Sequence, residues 1–135
     1  MPAAAEHRAR RLLVEWGPVL AWAGLIFWFS AQPNLRIASD NSLDFVVRKA
    51  GHMFVFGVLA VLCWRAFRDA GASLAPLLAW VLASGYAATD EFHQAFTSGR
   101  HASPVDVGID SLGALLGIAF VALALQVVFP ARSSA

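Results

Sequence analysis

Long apolar runs divide this chain, at residues 12–31, 50–67, 74–94 and 105–129. Each is close to the roughly 20 residues a helix needs to cross hydrocarbon. In lipid a backbone must satisfy its own N–H and C=O groups, which leaves helices as the expected element and excludes isolated strands. The expected fold is therefore all-α: a single domain over residues 1–135, a polytopic bundle of four transmembrane helices. Composition agrees, with 59% hydrophobic residues, 14% charged residues and a mean hydropathy of +0.62. Soluble domains run near one-half apolar and about one-quarter charged.

Arg8, Arg10 and Arg11 precede the first run, as they would in a signal sequence. The bulky Phe29, however, stands where cleavage after Ala31 needs a small residue, so the run is expected to persist as a first span. Pro18 falls early in it, where a missing amide is tolerated. Glu15 is expected at interface depth, and Trp16, Trp22 and Trp28 suit interfaces or packing. Ser73 is the expected N-cap of the third span, with Pro76 in its first turn. Pro130 stops the fourth. The connection over 34–49 is long and polar, 68–72 is a tight turn around Gly71, and 97–103 is short. The chain ends, 1–6 and 132–135, are expected to fray.

Four spans put both termini and the second loop on one side. Of the ten Lys and Arg residues, that side holds Arg8, Arg10, Arg11, Arg65, Arg68 and Arg132; the other holds Arg36, Arg48, Lys49 and Arg100. The excess places both termini in the cytoplasm. A net charge of +1 offers no basic face for nucleic acid. Cys63, the single cysteine, cannot form an internal disulfide and reads as a small buried or lipid-facing thiol.

Between the last two runs the chain reads YAATDEFHQAFTSGRHASPVDVGIDSLGALLG. A charged side chain at a helix centre costs roughly 2.5–3.5 kcal/mol on insertion scales, so such a cluster must face itself or a wet cavity. Asp106, Asp110, Gly113 and Gly117 recur at helical spacing along one stripe. Gly113 and Gly117 allow close helix contact, which turns the stripe, and both acids with it, into the bundle. Asp106 also fits a capping box with Ser103. Glu91 and Gln94 share a face; Asp90 or His93 is expected to mark the exit into headgroups. Arg100 is expected to pair with Glu91, Asp106 or Asp110, or to take a phosphate. His101 reads as surface. Lys49 and His52 share a face at the start of the second span, where Lys49 snorkels and His52 offers a group that titrates near neutrality. Ser30 and Gln32 complete a polar rim.

These residues resemble the VanZ-like family of small integral membrane proteins. The resemblance rests on Glu91-x-x-Gln94, Gly99-Arg100, Asp106, Asp110, Gly113 and Gly117, with weaker support from Lys49-x-x-His52, Phe54, Phe56, Gly57 and Ser30, and it covers about residues 22–117. Relatives often carry Asn where this chain has Asp110, so the role of that position is hydrogen bonding or proton transfer. The resemblance implies a multi-spanning protein of the cell envelope, and the family's namesake is associated with low-level resistance to the glycopeptide teicoplanin.

Two functions compete. In one, the cluster (Lys49, His52, Glu91, Gln94, Arg100, Asp106 and Asp110) binds a polar envelope ligand, a lipid headgroup or cell-wall precursor, in an outward-facing pocket. In the other, a membrane enzyme acts on a lipid-linked or phosphorylated substrate. Glu91 or Asp110 is then the acid–base group, His52 the proton carrier and Arg100 the anion clamp. Glu91, Asp106 and Asp110 form a conceivable hard-cation site. Besides the lipid bilayer, a transport role would call for a homo-oligomer, because four short spans enclose little.

Overall fold

The computed structural model describes residues 2–33, 40–98, 100 and 102–129. The expectations placed on Arg36, Gly99, His101, Pro130 and the tail at 132–135 lie outside these residues. Helices are the only regular elements described: α1 (Pro2–Ser30), α2 (Asn41–Asp69), α3 (Ala75–Gln94) and α4 (Pro104–Val128).

Two helices begin well before their apolar runs. α1 starts at Pro2, where fraying was expected, because its first turns are rich in Ala, Glu and Arg, all strong helix formers. α2 starts at Asn41, so residues 41–49 are helical although a loop was expected there. Asp40 caps this helix by accepting the Leu43 N–H at 2.8 Å. One turn on, Asp44 pairs with Arg48 at 3.0 Å with i,i+4 spacing. Lys49 and His52 therefore sit two to three turns inside a helix instead of at its start.

The caps also differ in detail. Leu74, not Ser73, is the N-cap of α3 and makes no side-chain bond; Pro76 in the first turn starts the helix without one. Ser103 does cap α4, accepting the Val105 N–H at 3.3 Å. It does not form a capping box, because the Asp106 carboxylate is drawn away to Lys49. The turn after α2 falls as expected at Gly71, whose φ of +80° favours glycine. There the Ala72 N–H bonds to Phe67 O at 3.0 Å and the Gly71 N–H to Arg68 O at 2.9 Å, the paired bonds of a Schellman turn.

α1, α2 and α4 are long and apolar enough to cross a membrane, yet only 17–22% of their most apolar windows is buried. Their remaining apolar surface faces outward, the reverse of a soluble bundle, and requires a lipid surround. α3 is not among these three, because its last turns carry Asp90, Glu91, His93 and Gln94. It packs along both α2 and α4.

Small residues set the packing. α3 buries Ala75, Ala79, Ala83 and Ala87 at strict i,i+4 spacing. α2 and α4 meet most closely where Gly57 faces Gly113 and Gly117. A Cβ on Gly117 would stand 2.6 Å from the Gly57 carbonyl oxygen, and one on Gly113 would stand 2.6 Å from Met53 Cα. The fully buried Phe56, Leu59 and Cys63 fill the core beside this seam, so the cysteine is a core thiol.

α1 lies against α2, touches α3 less, and is pinned mainly through backbone carbonyls. Trp22 Nε1 donates to Val55 O at 2.9 Å and the Tyr86 hydroxyl to Ala23 O at 2.7 Å. Arg65 reaches Val14 O and Glu15 O, each at 3.1 Å. Trp16 packs edge-on against Phe67, whereas Trp28 is exposed. Glu15 is buried and pairs with Arg11 at 2.6 Å.

Replacing Gly117 with Ala pushes a methyl group into the α2 backbone. The expected cost is about 1–3 kcal/mol, read as a lower unfolding midpoint in detergent. Gly85→Ala, where a Cβ meets nothing within 4 Å, should be neutral or stabilising by up to about 1 kcal/mol.

Candidate functional site

The polar ends of α3 and α4 meet the last turn of α1 and the third turn of α2. One network centres on Asp90. Its buried carboxylate accepts from Ser30 Oγ at 2.7 Å and from Gln94 Nε2 at 2.9 Å. Gln94 Oε1 in turn accepts from Arg100 at 3.0 Å, and the other arm of that guanidinium reaches Phe29 O at 3.3 Å. Asp90 was expected to mark an exit into headgroups. It is instead 3% exposed, because α1 lays Ser30 over it. His93, the other expected marker, is half-buried with its ring 4.3 Å from that of Phe27. Gln32 turns away from the site to bond Trp28 O at 3.0 Å.

A second network joins α2 to α4. Lys49 pairs with Asp106. Asp110, 2% exposed, lies 3.3 Å from His52 Nδ1. A carboxylate there accepts from Nδ1–H and leaves Nε2 as the acceptor nitrogen. The stripe inferred from spacing does turn Asp110 inward. Asp110 Oδ1 and Asp90 Oδ1 are both buried with no hydrogen-bond partner among the described residues.

Glu91 has a separate task. Its Oε1 accepts the Ser103 N–H at 2.7 Å, tying the end of α3 to the cap of α4. Arg100 therefore does not pair with Glu91, Asp106 or Asp110; each of those acids is already committed, to Ser103, Lys49 and His52. For the same reason the three do not converge into a hard-cation site, and no group of three His, Cys, Asp or Glu side chains suited to a metal occurs among the described residues.

A cavity of about 640 Å³ opens beside these networks, within the usual range for small-molecule sites. Its polar lining is Ser30, Arg48, Lys49, His52, Gln94, Arg100 and Asp106; Trp22, Leu25, Ile26, Phe29, Phe45 and Val55 supply apolar wall. Of the residues expected in the site, Lys49, His52, Gln94, Arg100 and Asp106 thus share one cavity. Asp110 stands behind His52, and Glu91 lines a different, shallower depression with Ser103 and Val107. Gly113 and Gly117 belong to the α2–α4 seam.

Sequence reasoning missed Arg48 as a lining cation and Asp90 as the centre of a network. The signal for Arg48 was its i,i+4 relation to Asp44 behind an Asp40 cap. For Asp90 the i,i+4 relation to Gln94 was a local signal, but its other partner, Ser30, lies 60 residues away. Arg100 is the notable cation, since its described hydrogen bonds go to neutral oxygens. Burial, and then the nearby charge of Arg48, pushes its guanidinium below the usual arginine range.

The model of a family described as VanZ/LLP1 matches residues 15–126 of this chain. No curated protein and no solved structure matches it.

Removing the Ser30 hydroxyl leaves a buried carboxylate short of a donor. Ser30→Ala should cost about 1–3 kcal/mol, measured as a drop in unfolding free energy in detergent; an unchanged midpoint would contradict the Asp90 network.

Proposed function

The chain belongs to the VanZ/LLP1 family, and from that premise we propose that it binds a polar envelope ligand, a lipid headgroup or cell-wall precursor, in the cavity between α1 and α2. One observation carries the reading: the cavity is lined both by cationic and neutral donors, among them Arg48, Arg100 and Gln94, and by apolar side chains of α1 and α2. That combination suits an amphiphile with a polar head. Arg100 supports it further, because a guanidinium held on neutral oxygens keeps its charge available to an anion. The pocket faces outward, with both termini in the cytoplasm, on the strength of the Lys and Arg distribution. A contribution to teicoplanin tolerance would run through the retained ligand.

One observation favours a second reading, an enzyme acting on a lipid-linked or phosphorylated substrate. Asp110 orients His52, whose ring lines the cavity, as a proton-transfer group is oriented for general acid–base work. Glu91, bonded to Ser103, then serves as a positioning group. Turnover by purified wild-type protein decides for this second reading.

Under the binding reading, Arg100→Gln should leave abundance near normal and deplete the ligand that co-purifies with the protein. Lipid extraction and mass spectrometry of matched preparations measure this. Equal ligand on both would remove Arg100 from the site.

Orientation has its own test. Cys63 is buried and gives little background, so a cysteine at Ser98 should label with a membrane-impermeant maleimide in intact cells. One at Ala70 should label only after permeabilisation, and the opposite pattern would invert the topology.

A further inference from the structure

We propose that the occupant of the cavity is an anionic lipid phosphate, its phosphate held between Arg48 and Arg100 and one hydrocarbon chain leaving sideways between α1 and α2. The proposal rests on the binding reading above and narrows it to one headgroup chemistry and one route of entry.

The charges come first. Arg48, Lys49 and Arg100 line the cavity, and Asp106 is the one carboxylate among the lining residues. Asp106 is taken by Lys49. The other acids nearby stand behind the wall: Asp44 on Arg48, Asp110 on His52, and Asp90 on Ser30 and Gln94. A ligand reaching these side chains therefore meets donors not already taken by an acid of the wall. Both guanidiniums line this one cavity, and the charge of Arg48 acts on Arg100. Like charges so placed repel, and an anion between them relieves the repulsion. Forked guanidiniums also match the tetrahedral oxygens of a phosphate.

The route distinguishes a lipid from a free anion. Leu25, Phe29 and Phe45 line the cavity, yet they remain 42%, 52% and 56% exposed. The cavity wall is thus continuous with the apolar outer surface of α1 and α2. A soluble phosphate has no use for an apolar side opening, whereas a chain already in the bilayer enters through it without crossing water. Gly51 also lines the cavity, and a Cβ there meets nothing within 4 Å. The space beside it is available to a ligand.

The full-length protein, purified in neutral detergent, is titrated with dioctanoyl phosphatidate, dioctanoyl phosphatidylglycerol, dioctanoyl phosphatidylcholine and inorganic phosphate, with bound species counted by native mass spectrometry. Both anionic lipids should bind at least about tenfold more tightly than phosphatidylcholine and inorganic phosphate. Arg100→Gln and Arg48→Gln should each weaken them about tenfold, the size expected for one charge-assisted bond. Gly51→Leu, which fills the space without a backbone clash, should reduce lipid binding with the unfolding midpoint preserved. If Arg100→Gln unfolds the protein, Arg48→Gln decides, because that side chain is 43% exposed and pairs within its own helix. Equal affinity for phosphatidylcholine would overturn the anionic headgroup and leave the binding reading standing. Inorganic phosphate binding as tightly as the lipids would overturn the lipid source. Binding of none of the four by folded protein would overturn both this proposal and the reading beneath it.

Discussion

A carboxylate buried in an apolar bundle must find donors or be expelled, and Asp90 meets that demand by drawing three parts of the chain together. Ser30 comes from the end of α1, Gln94 from the next turn of α3, and Arg100 from beyond α3, through the far end of the Gln94 amide. Each bond alone contributes on the order of 1 kcal/mol, but leaving the carboxylate without them would cost more. The network therefore fixes the end of α1 against α3. Since α1 supplies one wall of the cavity, it sets the shape of the cavity as well.

The rest of the site is held by a different kind of contact. Gly57, Gly113 and Gly117 bring the backbones of α2 and α4 together. That closeness is what lets Lys49 reach Asp106 and His52 reach Asp110. Glu91 fixes the third junction, between the end of α3 and the cap of α4. Acids thus act as fasteners, all but Asp106 behind the wall, and cations present themselves at its surface, so one cluster serves both the fold and a ligand.

The helical fold was legible because 20-residue apolar runs leave a backbone no other option in lipid, and the Asp110–Gly113–Gly117 stripe was legible because i,i+3 and i,i+4 spacing projects directly onto a helix face. The helix starts were harder to place. Residues 41–49 mix Asp44, Arg48 and Lys49 with Leu43, Phe45, Val46 and Val47, and their charges say exit from the membrane as readily as they say an amphipathic extension of a helix; the Asp40 cap was the signal that separated the two. The partners of Arg100 and the Ser30 partner of Asp90 were not legible, since a count of nearby acids cannot tell which are already committed and Ser30 lies 60 residues from Asp90. Glu91 shows this well: Arg100 is the nearest Lys or Arg in sequence, yet in the structure Glu91 answers a backbone N–H. The cavity itself depends on how α1 leans on α2, a long-range packing outcome with no local signature.

The central claim is that Ser30, Asp90 and Gln94 act as one unit joining α1 to α3. A double-mutant cycle on Ser30→Ala and Gln94→Leu, read as unfolding free energy in detergent, tests it most directly. If the two residues share Asp90 as described, their costs are non-additive, with a coupling above about 0.5 kcal/mol. Costs that simply sum within that margin would mean that the two side chains act independently, and the account of how the cavity is built would fail.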